Sequence, residues 1–204
     1  MKRFGIVTGV TAVLGAGGLL VSGMLPSNAA TTSASQQVVA SSNTQTSAVV
    51  FVQRGFNHSS RGYHATADLP KDWRHVVLGT NEARFIDPDV NRMIRFDTEY
   101  SSTVTTANAV KQKIAALQGT PGLKVLSTST KTMGSTMDQG PQTVSTLIYT
   151  YRSGNVTRWV ATRYVGQHGW KEASIEMSVG GSTADSKLLT TVLDRATLSV
   201  TLYG

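Results

Sequence analysis

The chain contains no cysteine among its 204 residues. That absence excludes a disulfide scaffold, a thiolate metal site, a cysteine nucleophile and a lipid-accepting N-terminal cysteine. It leaves the redox compartment open. Histidine is scarce, and His58, His64, His75 and His168 are not spaced as a metal pair on a helix or beside a second ligand. No Gly-x-Ser-x-Gly elbow, phosphate-binding loop or dinucleotide fingerprint is present. Asp87-Pro88-Asp89 lacks the Asp-x-Asp-x-Asp-Gly pattern of a calcium loop. The formal charge is +7, yet no basic run is interleaved with aromatics, which argues against nucleic acid as a partner. The excess of Lys and Arg implies a soluble basic surface suited to an anionic cell envelope. There is no internal repeat and no coiled coil. Neither a cofactor nor a metal is implied.

What is present begins with a leader. Lys2-Arg3 opens it, Phe4–Leu25 is apolar, Pro26 breaks any helix, and Ser27-Asn28-Ala29 supplies small residues before a cleavage site. Residues 1–29 therefore read as a signal peptide and send the remainder outside the cytoplasmic membrane. An uncleaved anchor is the alternative, since about 20 apolar residues just span a bilayer, and only then would the mature chain touch a membrane. Residues 30–60 are rich in Ser, Thr, Gln and Ala and read as a flexible linker. Within them Phe51–Phe56 is apolar enough for a short edge strand. Residues 61–204 read as one α+β domain.

The strongest pattern in that domain is a meander over 142–180. Thr143–Tyr151 and Val156–Val165 are rich in β-branched and aromatic residues, and Gly154-Asn155 suits the tight turn between them. Pairing across that turn puts Val144, Ile148, Trp159, Ala161 and Val165 on one face. Leu147, Tyr149, Val160 and Tyr164 fall on the other, so both faces need cover. Gln167-His168-Gly169 forms the next turn. A three-residue loop there sets Ile175 and Met177 opposite Ala161 and Trp159, with Glu172, Ser174, Glu176 and Ser178 on the wet side.

Earlier in the chain, Tyr63–Asp68 reads as a strand, Lys71-Asp72-Trp73 as a turn with Trp73 in the core, and Glu82–Ile86 with Arg92–Phe96 as a hairpin around Asp87-Pro88-Asp89. Thr106–Gln118 carries a helical stripe of Ala107, Val110, Ile114 and Leu117, with Lys111 and Lys113 on the exposed side. Thr105 or Thr106 caps its start, and Gly119 and Pro121 stop it. Leu123–Thr128 reads as a strand and Lys131–Pro141 as a loop. Ser182 and Asp185 form a short capping box before a helix whose apolar face is Leu188, Leu189, Val192, Leu193 and Ala196. Leu198–Leu202 closes the chain as a strand. The fold class is thus an antiparallel sheet of six or seven strands with two helices packed on it.

Three arrangements carry potential chemistry. Asp97 and Glu99 lie two apart and would share a strand face, as paired carboxylates do in glycosidases; the plainer reading is the wet face of a strand. Gly180-Gly181-Ser182 before a helix suits an anion or simply a loop and a cap. Tyr149, Tyr151, Tyr164 and Trp170 could form a sugar- or peptide-binding platform, although such residues more often build the core. No catalytic set emerges.

Leu69-Pro70-Lys71-Asp72-Trp73, Phe85-Ile86-Asp87-Pro88, Met93–Asp97, Leu117–Gly122 and the Tyr149-Thr150-Tyr151 to Trp159-Val160 hairpin, in this element order, resemble the PsbP-like fold of actinobacterial envelope proteins. LpqN-type lipoproteins and the extracellular tails of membrane serine/threonine kinases share that fold. The resemblance spans about residues 61–204 and brings no catalytic motif. It implies a secreted binding or accessory module whose partner is an envelope protein or a cell-wall polymer. The chain departs from the lipoproteins in lacking the lipid-accepting cysteine, and from the kinases in lacking a kinase domain. The competing expectation is a hydrolase of envelope polymers built on a carboxylate or serine.

Overall fold

A computed structural model describes residues 49–57 and 64–203. The leader, most of the linker and His58 lie outside the described residues. Ten strands and two α-helices follow in chain order: β1 Phe51–Phe56, β2 His64–Pro70, β3 Arg74–Val77, β4 Glu82–Ile86, β5 Met93–Asp97, α1 Thr106–Ala116, β6 Lys124–Met133, β7 Gln142–Ser153, β8 Val156–Gly166, β9 Ile175–Ser182, α2 Ser186–Ser199 and β10 Thr201–Tyr203. Seven strands form one antiparallel sheet in the order β3-β4-β5-β9-β8-β7-β6, and β1-β2-β10 form a second. The architecture is α+β with two helices, as expected, but with a separate small sheet besides the large one.

The meander residues organise the large sheet. Ser153 pairs with Val156 across Gly154-Asn155, and Gly154 takes φ +59°, a conformation glycine adopts without steric cost. One sheet face carries Val144, Ile148, Trp159, Ala161, Val165, Ile175, Met177 and Val179, which pack with Phe85, Ile94 and Phe96 into the larger core. α2 covers this face through Leu189, Val192, Leu193 and Ala196, and Phe56, Ala65, Ala67 and Leu69 of the small sheet enter the same core. The opposite face holds Leu147, Tyr149, Val160 and Tyr164, on which α1 sets Ala109 and Val110. The division of the hairpin between two faces is therefore the one the alternation dictates.

β1 is the short edge strand expected at Phe51–Phe56, and it pairs residue by residue with β2. Several expectations are corrected. β3 was not anticipated; it continues directly from the Trp73 turn and pairs with β4. β6 runs on to Met133, into the stretch expected as loop. The β8–β9 connection is no three-residue turn but runs from Gln167 to Ser174, because the α1 entry holds it: Thr106 N–H donates to the Lys171 carbonyl and Ala173 N–H to that of Val104, each at 2.8 Å. Ile175 and Met177 then oppose Val165 and Arg163 rather than Ala161 and Trp159. The shift is an even number of residues, so they stay on the expected face. α2 overruns Leu198-Ser199, leaving only Thr201–Tyr203 as the last strand. On α1, Ala107 is exposed and Ala109 is buried in its place.

Local chemistry fixes the helix ends. The Thr105 side chain accepts from Asn108 N–H, and Gly119 follows α1 at φ +82°. Ser182 and Asp185 close the capping box through a single-turn 3-10 segment before α2. Gly181 lets that helix sit close: a Cβ there would lie 2.7 Å from Leu189 Cδ1.

Candidate functional site

The face of the large sheet that carries α1 is only partly covered by it, and there the strand register lines up a continuous polar row. Glu82 on β4 opposes Asp97 on β5, and Asp97 opposes Glu176 on β9. Glu176 opposes Tyr164 on β8, Tyr164 opposes Ser145 on β7, and Ser145 opposes Thr130 on β6. α1 seals one half of this row. Thr106 Oγ1 accepts from Ser145 Oγ at 2.9 Å, and Ser145 Oγ lies 2.8 Å from Thr130 Oγ1. Lys113, expected on the exposed side, instead reaches down and its Nζ donates to Glu176 Oε1 at 2.9 Å. The other half, Glu82 and Asp97, lies beside the helix and is half-exposed.

Like charges directly opposed across strands repel. The outer two carboxylates are compensated: Glu176 by Lys113, and Glu82 by Arg95, 2.6 Å away. Asp97 sits between them with a backbone partner, Glu99 N–H donating to its Oδ1 at 3.1 Å. Burial, with the Glu82 and Glu176 charges added to it, holds the Asp97 carboxyl above its ordinary range despite the Glu99 N–H and Arg95. Tyr164 is fully buried, its ring tilted against Tyr100 at 4.9 Å. Its hydroxyl has no hydrogen-bond partner among the described residues. Burial and the nearby Glu176 and Tyr100 push that phenol far above its usual range. Tyr149, buried on the neighbouring row, is pushed up to about 12 by burial and by Tyr151 and Glu176. Tyr100 is shifted upward too, by burial and then Glu176. At neutral pH these three phenols are therefore neutral.

The sequence candidates distribute as follows. Tyr149, Tyr164 and the half-buried Tyr151 share this face and the α1-side cluster. Trp170 does not join them; it is 63% exposed in the β8–β9 connection. Its place there is built: a Cβ on Gly166 would fall 2.3 Å from the Trp170 carbonyl oxygen, and His168 takes φ +55°. Asp97 and Glu99 are not a strand pair, because β5 ends at Asp97 and Glu99 is exposed, its carboxylate accepting from Asn81 at 2.7 Å. Asp87 serves its turn, accepting from Asp89 N–H at 3.0 Å and from Arg92 at 2.6 Å. The anion position before α2 is filled by Asp185, whose carboxylate accepts from Ser182 N–H and Oγ. His75 stacks on Phe85 at 4.7 Å and is held below the ordinary imidazole range by burial and then Arg54. Among the described residues no group of three His, Asp or Glu is placed to hold a metal ion. Nothing in the local sequence around Glu82, Glu176, Tyr100 or Lys113 identifies a site. The period-two pattern around Glu176 marked it as wet-side, but nothing local placed Glu82 or Asp97 beside it.

No family model matches the chain, and no curated protein does. Among solved structures the fold is like that of LpqN, described as involved in cell envelope biogenesis of Mycobacterium tuberculosis. The two are 14% identical, with a TM-score of 0.50, over 76% of this chain and 92% of that one. A Pseudomonas aeruginosa protein of unknown function matches over 72% of this chain and 92% of its own, at 10% identity and a TM-score of 0.43. At these identities the likeness to LpqN is one of fold. Among the described residues no helix is long and apolar enough to cross a membrane.

Proposed function

We propose that this chain is an exported, non-enzymatic binding or accessory domain of the bacterial cell envelope, of PsbP-like type. It engages an envelope protein or cell-wall polymer through the open half of the polar sheet face. The observation that carries this reading is the register that sets Asp97 and Glu82, both half-exposed, side by side next to α1 while the opposite face is closed by α2 and the small sheet. Charged and hydrogen-bonding groups fixed on strands are held more rigidly than groups on loops. The LpqN-like fold supports the envelope setting, and the apolar leader supports export. The test is retention of components from an envelope extract of the source organism. The wild-type chain should retain a defined component that the Asp97→Asn/Arg95→Gln double variant, still folded, releases. Equal retention by both would overturn the reading.

A second reading, hydrolysis of an envelope polymer, draws on one observation: a carboxyl held above its ordinary range between two other carboxylates is what a general acid needs. It requires turnover of envelope polymer that Asp97→Asn abolishes without loss of retention.

A further inference from the structure

Next to the acidic row runs a basic one. Arg84 on β4 lies directly opposite Arg95 on β5, and Arg95 opposite Ser178 on β9. Ser178 in turn opposes Thr162 on β8, and the two hydroxyls are 2.8 Å apart. Directly opposed cations raise the energy of a sheet, and the two differ in how that is offset. Arg95 has Glu82 at 2.6 Å. Arg84 has no ion-pair partner among the described residues. Its Nε is buried and donates to nothing there, although a buried donor without an acceptor costs about 1–3 kcal/mol. Two half-buried guanidiniums and a donor lacking its acceptor thus lie along one line of the sheet, which runs inward to a hydroxyl pair whose Thr162 is fully buried.

We propose that Arg84 and Arg95 hold an oxyanion, a carboxylate or a phosphate group, of the ligand bound on this face. The planar fork of a guanidinium matches both groups and binds them through paired N–H donors. Arg95 gives one terminal nitrogen to Glu82, which leaves further N–H groups for a ligand. The acidic row Glu82–Asp97–Glu176 beside the site repels a second anion. The ligand therefore carries one anionic group flanked by hydrogen-bond donors. This rests on the reading of the face as a binding surface.

The test uses the full chain with 15N-labelled arginine, following the Nε–Hε resonances during separate titrations with inorganic phosphate and with acetate, at ionic strength matched by chloride. The Arg84 resonance should move and saturate, while that of the exposed Arg195 stays put. Arg84→Gln should abolish the response at Arg95, and Arg84→Lys should keep a weakened one. Movement with phosphate alone assigns a phosphate ligand, and with acetate alone a carboxylate. No saturable shift with either anion, or an Arg95 response that survives in Arg84→Gln, overturns the proposal. The retention experiment decides separately whether the face binds anything. A chain that retains envelope material through this face but shows no anion response loses this inference alone.

Discussion

The two faces of the seven-stranded sheet are built from the same strands and each carries a helix, yet they differ in how far they are dried. One is dry. Trp159, Phe85, Phe96, Ile175 and Met177 meet α2 and the small sheet there, all buried, and the one strongly charged group of β8 on that side, Arg163, is consumed internally by Thr197 at 2.9 Å and Asp194 at 2.6 Å. The other face is polar along whole rows, half sealed by α1 and half open. Apolar burial stabilises at about 25 cal/mol per Å², so the dry face supplies most of the folding energy. The polar face spends part of it on opposed charges and a buried phenol without a partner among the described residues. Local departures from the stabilising choice concentrate where a protein works.

Four perturbations sharpen this contrast. Trp159→Ala opens a cavity in the dry face and should cost about 3–5 kcal/mol in denaturant unfolding; a loss under 1 kcal/mol would show that this face is not the scaffold. Lys113→Ala leaves the nearly buried Glu176 carboxylate without its ammonium and should cost about 1–3 kcal/mol. The same change at the exposed Lys111 should cost almost nothing, and equal effects would place Lys113 in solvent. Third, Tyr149 titrates at about 12 in the fold against about 10 in the unfolded chain. The native state then holds a proton that the unfolded state has released, so stability should fall as pH rises from 10 towards 12. Tyr149→Phe should lessen that slope in thermal melts at stepped pH, the part due to Tyr164 and Tyr100 remaining. The smallest effect is at Asp97. Its folded carboxyl is raised, so the native state binds the extra proton and stability falls as pH rises through the window above the ordinary carboxylate value. Asp97→Asn should melt slightly higher than the parent at neutral pH and lose that dependence. A lower melting temperature would mean that the ionised group is structural.

Much of the fold is legible in local sequence, because the determinants are local. Gly154 admits the hairpin turn, alternation sorts Trp159 from Tyr164, and Thr105, Gly119 and the Ser182–Asp185 box punctuate the helices. The misplaced elements depend on distant partners. Gln167–Gly169 looks like a complete turn, and the backbone hydrogen bonds that extend it come from a distant stretch, Tyr100, Ser101, Val104 and Thr106. Leu198-Ser199 alternates like a strand, yet the helix absorbs it: Ser199 Oγ bonds the Arg195 carbonyl and accepts from Asp68 N–H. The site was less visible still. Glu82, Asp97 and Glu176 belong to three strands; the β4–β5 hairpin sets Glu82 opposite Asp97, and Glu176 joins them only when β5 pairs with β9. Asp97 reads from the sequence as a partner of Glu99, two residues away. Trp170 looks like part of the tyrosine cluster because proximity along the chain does not report the face or the loop end on which a side chain emerges.

Carboxyl footprinting puts the central claim to its most direct test. The full chain is labelled with a carbodiimide and glycine ethyl ester, with and without the envelope component it retains, and modification at each acid is read by mass spectrometry. Bound ligand should protect Glu82 and Asp97 on the open face and leave the exposed Asp72 and Asp89 unchanged. Undiminished labelling of Glu82 and Asp97, with protection found at Asp72 or Asp89 instead, would contradict the account.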